Sequence, residues 1–158
     1  MLAVETSTTD TKSDIYNRIL QQLALARKSY VTIGLHEGAG SYENGEDVIS
    51  VGIDNEFGVN VPERSFMRSA IDEHLQQIDE WREEGLTNII DKGWTTEKAL
   101  QSLGFKVQVL IQNKIQSDIP PPNAPSTTER KIKEGKAPRT LLDTRLMLRS
   151  VTFKVVIQ

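Results

Sequence analysis

With 158 residues and no cysteine, the chain can bury one sizeable core, but disulfides, thiolate metal sites and cysteine nucleophiles are excluded. A formal net charge of −3 argues against a general nucleic-acid binder. No apolar run approaches the roughly 20 residues that span a bilayer, and the start, MLAVETSTTDTKSD, lacks the basic and apolar parts of a signal peptide. A protein made in the cytoplasm, away from membranes, is expected.

Residues 1–10 are unpatterned and rich in Thr, which predicts a flexible N-terminal arm ahead of a single domain over 11–158. Thr11 and Asp14 have capping-box spacing, and Ile15, Ile19, Leu20 and Leu23 follow at helical steps. They predict a helix from about Lys12 to Lys28. Val31, Ile33 and Leu35 alternate as in a strand, and Val48 to Ile53 reads as a second one. The polar, glycine-rich stretch between them predicts a hairpin with a mobile loop at 38–45, in which Tyr42 is the one residue able to anchor it.

Pro62 precedes a long predicted helix from about Arg64 to Lys92, with Met67, Ile71, His74, Ile78 and Trp81 on one face and Gly93 as its C-terminal cap. Thr95 caps the next helix, whose buried stripe is Leu100, Leu103, Val107, Leu110, Ile111 and Ile115. Gly104 inside it costs about 1 kcal/mol relative to Ala, which implies a close neighbour. The Pro-rich segment 119–125 reads as a stiff connector, and Ser126 with Glu129 as a capping box for a short charged helix ending at Gly135. A second short helix is predicted over Asp143 to Arg149, and Val151, Phe153, Val155 and Ile157 alternate as a last strand. The expected fold class is α+β, a small antiparallel sheet of about three strands packed against long α-helices.

Sites for chemistry are sparse. The histidines His36 and His74 are far apart; His74 on an apolar face reads as a hydrogen-bonded core residue, and His36 as a loop residue. Neighbouring acids such as Glu83 and Glu84 diverge by ~100° on a helix and do not converge on one substrate atom. Metal-binding, nucleophile-elbow and phosphate-cradle motifs are missing, so no catalytic residue, metal or cofactor is expected. Trp81 sits among Asp79, Glu80, Glu83 and Glu84, which would repel phosphate, so it reads as core or subunit contact.

Charge is divided along the chain. From Thr127 to Gln158, eight Lys or Arg stand against three acids, a net +5, leaving −8 for the rest. Two solvated faces of opposite sign would account for this, and so would a subunit whose basic and acidic stretches meet different neighbours.

Three segments, in order, carry a family resemblance. They are Asn55-Glu56-Phe57-Gly58 with Val61-Pro62-Glu63-Arg64-Ser65-Phe66-Met67-Arg68; Ile119-Pro120-Pro121 through Asn123-Ala124-Pro125-Ser126-Thr127-Thr128 to Lys131; and Pro138-Arg139-Thr140-Leu141-Leu142-Asp143-Thr144 to Leu148-Arg149-Ser150-Val151. Together they resemble the virion-morphogenesis and tail-completion proteins of long-tailed bacteriophages, including the Mu G-like neck families, over roughly residues 50 to 153. Family members commonly have Gly after the Asp-Thr pair, where this chain has Arg145, and the connector has Asn123-Ala124 in place of a leucine.

The resemblance implies a structural, non-enzymatic virion protein at the head–tail junction. It would form a homo-oligomeric ring, sixfold to match the tail, beside connector, tail-tube or tail-terminator proteins. DNA would pass through the lumen without sequence-specific binding. The alternatives are an assembly chaperone or scaffolding factor, and a DNA-binding module using the basic C-terminal region. Interface candidates are Tyr42, Arg64, Glu80, Glu84, Lys131, Lys133 and Arg145. Arg64 is expected to reach outward from its helix start while Phe66 turns inward. Lys131 and Lys133 are expected to face Glu80 and Glu84 of a neighbour.

Overall fold

The last strand pairs with the first. In the computed structural model, which describes residues 5–142 and 145–158 (side chains from residue 11), β1 (Tyr30–Leu35) runs antiparallel to β2 (Val151–Val156). The register runs from Tyr30 opposite Val156 to Leu35 opposite Val151. The alternating set Val31, Ile33 and Leu35 therefore stands beside Val155, Phe153 and Val151. Seven helices complete the described fold: α1 (Glu5–Ala26), α2 (Val48–Phe57), α3 (Met67–Asp72), α4 (Leu75–Asp91), α5 (Thr96–Gln116), α6 (Pro125–Lys133) and α7 (Leu146–Ser150).

The sheet has two strands among the described residues, not three. Val48 to Ile53, expected as a strand, belongs to α2. Asp47 caps that helix by accepting from the N–H of Ser50 at 3.0 Å, and Gly58 ends it at φ 67°. Its inward residues are Val48, Gly52 and Glu56, a step of four. With Val48 to Ile53 helical, the expected hairpin of β1 with that segment does not form. The 38–45 stretch is a β-to-α connection closed on itself: the Tyr42 N–H donates to Glu46 O (2.8 Å), the Gly45 N–H to Tyr42 O (2.9 Å) and the Val48 N–H to Gly40 O (3.1 Å). The Ser150 hydroxyl donates to Ala39 O, which ties the stretch to α7.

The expected long helix from Arg64 is two helices, and His74 divides them. Its ring donates from Nδ1 to Ala70 O at 2.8 Å, taking the acceptor its own N–H would use in a continuous helix. The His74 N–H bonds Ile71 O instead. Residues 5–10, expected as an arm, are the first turns of α1, since neither glycine nor proline stands there to stop it. The C-terminal half of α1 is fastened to the α4–α5 corner. Arg18 donates to Gly93 O, and Thr96 pairs with Gln22 through both its N–H (2.7 Å) and its hydroxyl (2.6 Å). Gly93 (φ 68°) and the Thr95 cap on the Lys98 N–H end and start these helices as expected. In α6, Ala124 is the N-cap and Pro125 the first residue, so the Ser126–Glu129 capping box does not form; the proline's missing N–H would have been orphaned there anyway.

The core lies between the sheet and α5 and runs on through Val48, Phe66, Ala70, Leu142 and Met147. Gly104 faces the sheet. A Cβ there would sit 2.6 Å from Phe153 Cδ2 and 2.9 Å from Val31 Cγ2. Gly104→Ala would gain about 1 kcal/mol of helix propensity and lose about 1–3 kcal/mol to overpacking. A net loss of about 0–2 kcal/mol is expected in urea unfolding, and Phe153→Leu in the same chain should recover part of it. On the opposite face the His36 ring lies 3.0 Å from Thr32 Oγ1 and 2.9 Å from Thr152 Oγ1, so it clasps the two strands and is more than a loop residue.

Candidate functional site

The three segments that carry the resemblance, far apart in sequence, are tied to one another by side chains that bond backbone. Within the first, the chain doubles back at Gly58, where a Cβ would meet Glu63 N at 3.0 Å. The fold-back puts the Glu56 carboxylate, 3% exposed, at the start of α3. It accepts from the N–H groups of Phe66, Met67 and Arg68 (2.8, 2.9 and 2.9 Å), from the Ser65 hydroxyl (2.8 Å) and from Arg68 Nε (3.1 Å). Burial pushes the Glu56 pKa up, but the hydrogen bonds from Met67, Arg68, Ser65 and Phe66 outweigh it and hold the carboxyl below its ordinary range. These are the orphan donors of a helix start, satisfied by a residue ten positions upstream. Phe66, expected to turn inward, is fully buried.

Arg64 joins the first segment to the second. It does not reach outward; it is 8% exposed, and it donates from Nε to Pro121 O (2.8 Å) and from Nη2 to Pro122 O (3.2 Å). The second segment is joined to the third in turn. Lys131 is 5% exposed and its Nζ donates to Arg139 O and Leu142 O, each at 2.9 Å. Asn123 donates to Pro138 O and the Thr140 hydroxyl to Ile119 O (3.1 Å). Just ahead of the second segment, Gln116 O accepts from Arg139, and Asp118 Oδ1 accepts from the Thr140 N–H at 2.8 Å. That last bond is the main reason the Asp118 carboxyl titrates below its ordinary value.

Around these ties lies a cavity of about 650 Å³ whose wall includes Tyr42, Arg64 and Lys131. Three of the seven sequence-chosen residues therefore meet at one place, while the other four line other surfaces. Glu84 pairs with Lys106 at 2.6 Å, which lowers its pKa, and Glu80 accepts from Gln76 at 3.0 Å. Lys133 is exposed on α6. Lys131, by contrast, is held inside the chain and is not placed to face a neighbour. Asp143 and Thr144 lie outside the described residues.

Arg145 is exposed and stands at φ 61°, the left-handed region, as the residue before α7. A side chain there costs about 1–2 kcal/mol that glycine avoids, partly offset by the entropy glycine adds to the unfolded chain. Arg145→Gly is expected to raise stability by about 0.5–1 kcal/mol, readable as a higher Tm.

Glu56 and Thr140 stand within the resemblance segments but were not among the interface candidates, and Asp118 lies outside those segments. The signal for Glu56 was available in its position before a glycine and a helix start; for Asp118 and Thr140, partners 22 residues apart, there was none. Among the described residues, no group of three His, Asp or Glu is placed to hold a metal ion, and no helix is long and apolar enough to cross a membrane. No protein-family model matches the chain, and neither a curated protein nor a solved structure is significantly similar to it.

Proposed function

We propose that this chain is a structural, non-enzymatic virion protein of a long-tailed phage neck, a tail-completion or head–tail joining subunit that works in a ring around the DNA channel. The observation that supports the reading is the mutual bonding of the three resemblance segments through Arg64, Lys131 and the Thr140 hydroxyl, which donates to Ile119 O. Motifs kept in order along a chain make physical sense as one unit if each supplies the donors or acceptors of the next. A second support is Arg145, whose left-handed backbone occupies the position where the resembled families carry glycine.

In this role the fold works mechanically. Each subunit presents the same surfaces, the ring closes by rotation, and neighbouring connector, tail-tube or tail-terminator proteins bind above and below. DNA passes without sequence-specific contact. Exposed ion pairs contribute about 0–1 kcal/mol each, so they bias orientation and association rate more than affinity. Lys133 on α6 and Glu80 on α4 are the exposed residues of opposite sign that suit such a contact.

The test combines mass measurement with particle imaging. The purified chain is expected to form closed rings, and a labelled copy to mark the neck in electron micrographs. Lys133→Glu should weaken ring formation, and Glu80→Lys in the same chain should restore part of it. Presence in immature particles with absence from finished ones would make the chain a scaffolding factor. Strong, salt-sensitive DNA binding by the monomer would make it a DNA-binding module.

A further inference from the structure

Arg64 is a buried cation without a counter-ion among the described residues. Its guanidinium gives Nε and Nη2 to the carbonyl oxygens of Pro121 and Pro122; among the described residues, Nη1 has no hydrogen-bond partner and no carboxylate lies within ion-pair distance. Taking an unpaired charge out of water is costly, and two carbonyl dipoles offset only part of that cost. The same side chain forms part of the wall of the 650 Å³ cavity, a volume within the roughly 300–1,000 Å³ of ligand pockets.

The rest of the wall narrows the class of ligand. Asn44, Asn55 and Asn123 bring side-chain amides; each gives one N–H inside the chain, to Glu46 Oε2, Val51 O and Pro138 O, which fixes it and keeps its second N–H for a peptide carbonyl. Val51, Leu141 and Met147 bring apolar surface for a side chain. Four cations (Arg64, Arg130, Lys131, Lys136) and three acids (Glu43, Glu46, Glu134) border the cavity. Glu134 pairs with Arg130 and Lys136, and Lys131 bonds backbone carbonyls, so the wall offers little net charge to a polyanion while Arg64 still suits a single carboxylate. Planar guanidinium groups suit carboxylates because two parallel N–H groups can meet two oxygens.

We propose that this cavity is a recognition site for an extended acidic peptide of a protein partner, and that a Glu or Asp carboxylate of the peptide pairs with the Nη edge of Arg64. The peptide supplies the missing counter-charge, and the asparagine amides hold its backbone. The site stands on its own geometry and does not depend on the chain being a neck subunit.

Two pools of capped random pentapeptides, one with a central Glu and one with a central Gln, are titrated into the isotopically labelled full chain and followed by NMR. The Glu pool should shift the Arg64 Nε–H and Asn123 side-chain signals, and the Gln pool should do so at least tenfold more weakly. Inorganic phosphate, added as a competitor, should not reverse the shifts at equal concentration. Val51→Trp fills the cavity from α2 while Arg64 itself is kept, and it should abolish the response while the unbound spectrum stays folded. Arg64→Gln should equalise the two pools if it folds. Equal response to both pools, displacement by phosphate, or an unchanged response in folded Val51→Trp would each overturn the proposal.

Discussion

Glu56→Ala is expected to remove about 3–5 kcal/mol of folding stability, a large share of the 5–15 kcal/mol typical of a domain. The substitution leaves the N–H groups of Phe66, Met67 and Arg68 without an acceptor, one of them fully buried, and releases the fold-back at Gly58. Each unsatisfied buried donor costs about 1–3 kcal/mol. Glu56→Gln keeps the size but offers one oxygen in place of two and turns an amide N–H toward donors, so a smaller loss is expected. The pH dependence follows from the lowered carboxyl pKa. Its contribution is fully present above the unfolded value, about 4.3, and is lost as pH falls through the folded one. Urea unfolding of wild type and Glu56→Gln should therefore differ most at neutral pH and converge in acid. A constant difference from pH 7 to pH 3 would show that the carboxylate is not what holds the start of α3.

The end of α4, the start of α5 and the last strand were legible from local signals, whereas Thr11 and Asp14, with capping-box spacing ahead of a helical period, lie inside α1 and not at its start. Thr95, Gly93 and the alternating last strand needed nothing beyond local chemistry, and the last strand's partner followed from there being few strands to choose from. Val48–Ile53 misled because six apolar-rich residues satisfy both periods. Asp47 three residues before Ser50, and Gly58 after Phe57, were the local signs of a helix, and Gly52 in the middle speaks against a strand. The break at His74 was not legible, because an amphipathic pattern continues across it. Only the competition between the imidazole and the backbone N–H for Ala70 O interrupts the helix.

The candidate site was legible as a set of segments and not as a set of contacts. Arg64 and Lys131 were marked as cations in motifs, and a cation in a motif is ordinarily read as reaching outward. Both turn inward, because the proline-rich connector and the Arg139–Leu142 turn offer backbone carbonyls with no partner in a helix or sheet. Lys and Arg can carry their stems through apolar surroundings to such acceptors. Charge patterning counts these residues equally with Lys133, although exposure separates them.

That separation predicts opposite results for two lysines two positions apart. Lys131→Glu replaces a buried ammonium, bonded to Arg139 O and Leu142 O, with a carboxylate facing the same two oxygens. The loss is expected to be about 3–5 kcal/mol, the range for leaving a buried charge uncompensated. Lys131→Met keeps the stem and removes only the donors, and a loss of about 1–3 kcal/mol is expected. Lys133→Glu, on the exposed side of α6, should stay within about 0.5 kcal/mol of wild type. Urea unfolding of the three variants checks the order. It also decides how oligomerisation experiments are to be read: weaker rings in Lys131→Glu would report a damaged subunit, whereas weaker rings in Lys133→Glu, with unfolding unchanged, would report the contact itself. If Lys131→Glu unfolds at the wild-type urea concentration, the tie between α6 and the Arg139–Leu142 turn does not hold the second and third segments together, and the support it gives to the neck reading falls with it.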